Sequence, residues 1–225
     1  MIHALYFLAR KPSYGEAEFH RYWRDVHGPL AAKVKTFRMY VQTHRISADG
    51  TNSPYDGAAE IWFDGLEQFA GMRTNREYLD GAFIDERNFV DFTRVERMAT
   101  RDHVIVDGQI GGHLVKGVWQ LKRKPGMSRG EFRKYWIEVH GALGARLPGL
   151  RRYVQSHLVD EAYEYAEPRS DGVAELWFDS TDAMRASFAS PEGKALQADG
   201  PKFVDASAGR FFVAQDHVVI PLRSA

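Results

Sequence analysis

Cysteine is absent from all 225 residues. That excludes disulfides, a thiolate nucleophile and zinc sites built on sulfur, and it suits a reducing compartment. An excess of either charge is also missing, since 30 Lys and Arg balance 30 Asp and Glu. Residues 1–112 carry 14 basic and 16 acidic side chains, and residues 113–225 carry 16 and 14, so neither half offers a basic face to a phosphate backbone. Nucleic acid is not an expected partner. No apolar run approaches the roughly 20 residues of a membrane-spanning helix, and no membrane partner is expected. The apolar opening Met1–Leu8 is followed, not preceded, by Arg10-Lys11, the reverse of a secretory leader. Also lacking are a Gly-rich phosphate cradle after a strand, a two-His-plus-Glu helix motif, an EF-hand loop and a serine elbow. The expectation is a cytoplasmic globular protein that needs no metal and no cofactor.

What is present is written twice. Shifted by 113, Arg10-Lys11-Pro12 falls on Arg123-Lys124-Pro125, Tyr22-Trp23 on Tyr135-Trp136, and Val26-His27-Gly28 on Val139-His140-Gly141. Residues 10–44 give 17 identities in 35 positions, far above chance. The offset becomes 115 at Trp62-Phe63-Asp64 and Trp177-Phe178-Asp179, then 114 at Phe89-Val90-Asp91 and Phe203-Val204-Asp205. Indels fall between the matched blocks, where loops belong. The chain is an internal duplication, with domains expected at 1–110 and 113–225.

Within one copy, residues 2–9 read as a strand and 16–35 as a helix that Gly28-Pro29 bends or restarts. Residues 37–46 alternate, with Phe37, Met39 and Val41 on one face and Tyr40, Gln42 and His44 on the other. Ser47–Tyr55 reads as a loop, 57–63 as a strand, 66–74 and 83–95 as helices, and 101–106 as a last strand. The order βαββαβ is the ferredoxin-like plan.

The block Phe19-x-x-Tyr22-Trp23-x-x-x-His27-Gly28 followed by Tyr40-x-Gln42-x-His44 occurs again as Phe132, Tyr135, Trp136, His140, Gly141, Tyr153, Gln155 and His157. It resembles the EthD-type dimeric α+β barrel proteins over nearly the whole chain. The resemblance implies an α+β fold of two tandem ferredoxin-like (βαββαβ) units packed sheet to sheet as an intramolecular α+β barrel. The chain would then be a monomeric pseudo-dimer or a homodimer of such chains.

If the apolar face of the second strand packs on helices, the other face brings phenol, amide and imidazole to a ligand. His27, Tyr40 and His44, with His140, Tyr153 and His157, are then the candidate acids and bases. The competing reading is that these groups satisfy one another and hold the copies together. His27 and His140 could equally cap their helices, although the resemblance to a superfamily containing lactone isomerases favours chemistry. His20, unmatched in the second copy, is read as surface. Glu60 and Trp62, like Glu175 and Trp177, share a strand face, where a carboxylate beside indole is a base or, more often, an ion-pair member. His3, Tyr6, Gln42, Glu60, Trp62, Trp119, Gln155, Glu175 and Trp177 form the candidate binding set. Tyr6 meets Trp119 in the alignment, so two pockets are expected to have diverged, one catalytic and one filled by aromatic rings, with His3 and Tyr6 favouring the first. The function expected is cofactor-independent acid–base chemistry of lyase, isomerase or cyclase type on a small aromatic, phenolic or lactone metabolite. The alternative is a non-catalytic protein that binds a hydrophobic small molecule.

Overall fold

A computed structural model describes residues 1–46, 51, 53–164 and 166–223. The first copy runs β1 (Ile2–Leu8), α1 (Glu16–Tyr22), a π-helical turn (Trp23–His27), α2 (Gly28–Ala31), β2 (Met39–Arg45), β3 (Gly57–Phe63), α3 (Leu66–Gly71), a second π-turn (Tyr78–Ala82), α4 (Phe83–Phe89) and β4 (Glu96–Val106). The second runs β5 (Val115–Leu121), α5 (Arg129–Tyr135), a π-turn (Trp136–His140), α6 (Gly141–Gly144), β6 (Arg152–Leu158), β7 (Gly172–Phe178), α7 (Thr181–Ala189), α8 (Pro191–Asp199) and β8 (Arg210–Ile220). The fold is α+β, two tandem ferredoxin-like units. Among the described residues no helix is long and apolar enough to cross a membrane.

The chain divides into two compact units, one of Met1–Ala48, Ser53–Ala99 and Asp216–Ala225, the other of Asp49–Asn52 and Thr100–Gln215. Unit boundaries therefore fall inside β4 and β8. In unit 1, β3 pairs antiparallel with both β1 and β2, setting Tyr6 opposite Ala59 and Tyr40 opposite Ile61. In unit 2, β7 pairs with β5 and β6 in the same way, with Trp119 opposite Ala174 and Tyr153 opposite Leu176. β5 also pairs with β8, and β6 with β4 from Thr100 onward.

Three sequence expectations are corrected here. The last strand starts at Glu96, five residues before position 101, and the helix expected over 83–95 ends at Phe89. Gly28-Pro29 does not break the helix, because the chain widens into a π-turn and continues. Proline is not the cause, since the second copy has Ala142 there and the same π-turn at Trp136–His140. Of the loop expected at Ser47–Tyr55, positions 47–50 and 52 lie outside the described residues.

The alternation of β2 is real, but its polar face looks the other way. Tyr40, Gln42 and His44 point at the helices of their own unit: Gln42 Nε2 donates to the Trp23 carbonyl at 2.8 Å, and His44 packs on the Trp23 ring at 4.5 Å. Unit 2 repeats this, with Gln155 Nε2 to the Trp136 carbonyl at 2.9 Å and His157 on Trp136 at 4.4 Å. Period two tells which side chains share a face, not which layer covers it. These side chains can face a helix layer because the amides of Gln42 and Gln155 bond the tyrosine hydroxyls and histidine Nε2 atoms of their own strand as well as the tryptophan carbonyls.

Candidate functional site

The π-turns Trp23–His27 and Trp136–His140 each deliver their last residue, a histidine, to a cavity between the helices and the sheet. A π-turn shifts the side chains that follow it around the helix axis, and such turns recur at functional positions. In unit 2, His140 Nδ1 lies 3.0 Å from Asp199 Oδ2, and Tyr135 OH donates to Asp199 Oδ1 at 2.7 Å. Burial works to raise the Asp199 pKa, but hydrogen bonds from Tyr135, His140 and Lys202 outweigh it and keep the carboxyl below its usual range. Burial lowers the His140 pKa despite Asp199. The imidazole is thus neutral at pH 7, its Nδ1–H donated to an ionised carboxylate, and Nε2 keeps its lone pair. Unit 1 has the same set: His27 Nδ1 to Asp85 Oδ2 at 3.0 Å, with Tyr22 OH and Asn88 Nδ2 on Asp85 Oδ1 at 2.6 and 3.1 Å.

Beside each histidine stands the tyrosine of the following strand. Gln155 Nε2 donates to Tyr153 OH at 2.9 Å, so the phenol oxygen accepts from Gln155 and its own hydrogen is left to donate. Burial pushes the Tyr153 phenol up to about 12, which keeps it protonated. Gln42 treats Tyr40 likewise at 3.2 Å, and burial raises that phenol as well.

The cavities themselves differ. That of unit 2 measures about 320 Å³ and is walled by Trp119, Leu176, Phe188, Leu196 and Phe203, with His140, Tyr153 and Gln197 among its polar groups. That of unit 1 measures about 50 Å³ and is lined by Tyr6, His27, Tyr40, Tyr78, Glu86 and Arg97 among apolar groups. Glu86 accepts from Tyr78 OH at 2.9 Å, and burial pushes its carboxyl up to about 7. At the matching place in unit 2 stands Gly200, and Phe211 replaces Arg97.

The candidate residues thus separate into two groups. The structure brings His27, Tyr40 and Tyr6 to one cavity and His140, Tyr153 and Trp119 to the other. Gln42 and Gln155 hold the tyrosines and the π-turn carbonyls. His44 and His157 are bonded through Nε2 to Gln42 and Gln155 at 3.1 and 3.2 Å, and burial drives both imidazoles down to about 3. Neither lines the two cavities; each packs on the tryptophan of its π-turn. His20 is not a free surface residue, since its Nδ1 lies 2.9 Å from His44 Nδ1.

His3, Glu60 and Trp62 occupy the opposite strand face from Tyr6, because Tyr6 is three residues along the strand from His3. There His3 stacks on Trp62 at 3.9 Å with Glu60 3.6 Å from Nε2, and Thr43 Oγ1 reaches both Glu60 and Asp216. In unit 2 the same face carries Lys116 Nζ at 2.8 Å from Glu175 and 4.8 Å from the Trp177 ring. Glu175 is therefore an ion-pair member.

Sequence reading missed Asp85, Asp199 and Glu86. The offset of 114 that matched Phe89 to Phe203 also pairs Asp85 with Asp199 and sets Glu86 against Gly200. That was the signal available.

A two-fold α+β chain of ferredoxin-like units, each holding a His–Asp pair and a phenol over an internal cavity, is the class that fold and site define. The chain belongs to the EthD domain family, which matches residues 11–93 and 124–207. No curated protein matches the sequence. Among solved structures it is similar to an anthrone oxidase-like protein, with a TM-score of 0.65 and 11% identity over 100% of this chain and 95% of that one. It is also similar to a mutant chlorite dismutase from Candidatus Nitrospira defluvii, with a TM-score of 0.57 and 8% identity over 95% and 91%. At these identities the likeness is one of fold.

Proposed function

We propose that unit 2 is the catalytic half of an acid–base enzyme that works without a cofactor on a small, flat, phenolic or keto-bearing ring compound. The observation that carries this reading is an imidazole oriented by Asp199 at 3.0 Å and lining a largely apolar cavity of about 320 Å³. That volume falls within the several hundred Å³ typical of small-molecule sites, whereas the 50 Å³ of unit 1 holds one or two waters. The preference for the first pocket therefore gives way on size. Aromatic rings wall the second pocket without filling it.

In the proposed step, the substrate's carbonyl oxygen accepts a hydrogen bond from Tyr153 OH. His140 Nε2 takes a proton from a C–H conjugated with that carbonyl. The C–H electron pair forms a C=C bond, the carbonyl π pair moves onto the oxygen, and Tyr153 stabilises the charge that develops there. The imidazolium formed is stabilised by Asp199. Returning the proton to another carbon completes an isomerisation, and expelling a leaving group instead completes an elimination. The apolar walls exclude water and strengthen both interactions.

Anthrone, a flat ketone with an acidic CH₂ between two rings, is a suitable probe. The expected result is protein-accelerated exchange of its CH₂ deuterons, reduced by roughly 10²–10⁴-fold in His140→Ala and unaffected by His27→Ala. Saturable binding with exchange no faster than in buffer would instead identify a carrier of hydrophobic molecules and end the enzymatic reading.

A further inference from the structure

Gln197 lines the unit 2 cavity from α8, and the fold settles which end of its amide is already spent. α7 ends at Ala189, and the chain turns at Ser190, whose hydroxyl accepts from the Gly193 N–H at 3.1 Å as α8 begins. Gly193 lets the two helices close up, since a Cβ there would lie 2.4 Å from the Ser187 carbonyl oxygen and 2.6 Å from that of Phe188. One turn further along α8, Gln197 Nε2 donates to the Phe188 carbonyl at 2.8 Å and to the Gly193 carbonyl at 3.1 Å. Both amide hydrogens are thereby used. Turning the amide over would set three oxygens against one another, so the hydrogen-bond network fixes its orientation.

What remains of the side chain is Oε1, an acceptor to which nothing donates among the described residues. The wall of this cavity therefore carries a phenol that donates, an imidazole that takes a proton and an amide oxygen that only accepts, separated by apolar rings. Unit 1 lacks the third group. The offset of 114 that pairs Asp85 with Asp199 sets Phe83 at the place of Gln197, and its ring packs against Tyr78 at 5.6 Å.

We propose that Gln197 is a specificity-determining residue, whose Oε1 selects ring ketones that carry a free hydroxyl apart from the carbonyl held by Tyr153; this rests on the reading of unit 2 as the ligand-binding half. The ligand's hydroxyl donates to Oε1 while its carbonyl accepts from Tyr153, so the two hydrogen bonds fix the ring between them. Gln197 is exposed, and water competes for Oε1 in the free protein, which limits the gain to the net worth of one neutral hydrogen bond. The same amide ties α8 to α7 through Nε2, so its test must separate the two ends of the side chain.

Equilibrium titration of the full chain with 1-tetralone, with its 6-hydroxy and 7-hydroxy derivatives and with the corresponding methoxy ethers provides that test. At least one hydroxy ketone is expected to bind at least roughly threefold more tightly than 1-tetralone. Its methoxy ether, which has no hydrogen to donate, should show no such gain. Gln197→Met keeps a good helix former at an exposed position, and in it the ratio should fall to about one. Loss of the tie between the helices would weaken both ketones alike and leave their ratio unchanged, so the ratio reports the acceptor alone. Exchange of the α-deuterons of the same ketones is followed in parallel. Preference without accelerated exchange would end the enzymatic reading and leave the role of Gln197 standing. A smaller preference in the parent, a preference shared by the ether, one that survives in Gln197→Met, or no saturable binding of any ketone would each overturn the proposal.

Discussion

Glu86 shows how one side chain separates the two copies. Its carboxyl sits in the small cavity of unit 1 and burial raises its pKa from about 4.5 to about 7. A raised carboxyl means that the folded chain holds this proton more tightly than the unfolded chain does. The favourable contribution is therefore complete below about pH 4.5 and is lost as pH rises through about 7. Glu86→Gln keeps the neutral form at all pH values. It is expected to match the parent in urea unfolding at pH 4.5 and to exceed it at pH 8, by at most about 3 kcal/mol given the size of the shift. Equal stability of the two proteins at pH 8 would show that Glu86 ionises without cost, through solvent reaching it or through Arg97. The position that meets Glu86 in the second copy, Gly200, carries no such penalty and leaves the larger cavity free of charge.

At the scale of elements, the most instructive feature is the bolt joining the first helix of each copy to its second strand. The π-turn frees the carbonyl of Trp136 to accept from both the Gly141 N–H and Gln155 Nε2. Gly141 is glycine because its neighbours leave no room: a Cβ there would lie 3.0 Å from Gln155 Nε2, 3.0 Å from Ile105 Cδ1 and 3.1 Å from the Trp136 carbonyl. Gly141→Ala must displace the amide that holds Tyr153, and overpacking of this kind costs about 1–3 kcal/mol. Chemical denaturation should show that loss, together with a weakened anthrone-exchange activity as Tyr153 shifts. An unchanged midpoint would mean that the bolt yields freely. The repeated residues of this bolt were legible in the sequence, as was the strand alternation of Tyr153, Gln155 and His157, because repeats and period two survive in a bare string of letters. Their direction was not. Nothing in the alternation says that an amide at position 155 will find the orphan carbonyl of a π-turn, and a π-turn leaves no periodic trace. The Asp199 that orients His140 was hidden for a related reason: it lies 59 residues away, and only the fold brings the two within 3.0 Å.

For the molecule as a whole, duplication supplied two equal frames and later substitutions made them unequal. One small residue bears on the size of the second cavity. Trp119 takes the place of Tyr6, and a larger side chain would be expected to shrink the cavity. It does not, because the indole folds against Gly117, which replaces Ala4 of the first copy. A Cβ at position 117 would lie 2.3 Å from Trp119 Cη2 and 2.4 Å from Cζ3. With no Cβ in the way, the ring lies flat, stacks on Phe211 at 4.4 Å and borders open space of about 320 Å³. Gly117→Ala, which restores the residue of the first copy, is then expected to drive the indole off its seat and into the cavity. Ligand-linked stabilisation gives the readout: a ligand that binds only the folded state raises the melting temperature in proportion to the logarithm of its concentration over Kd. Anthrone should raise the melting temperature of the parent chain and of His27→Ala, but not that of Gly117→Ala. The double variant Gly117→Ala/Trp119→Leu, in which the clash is removed along with the ring, should recover the shift. If Gly117→Ala binds anthrone as the parent does, the seat of Trp119 is not what keeps the second cavity open, and the difference in size between the two cavities needs another cause.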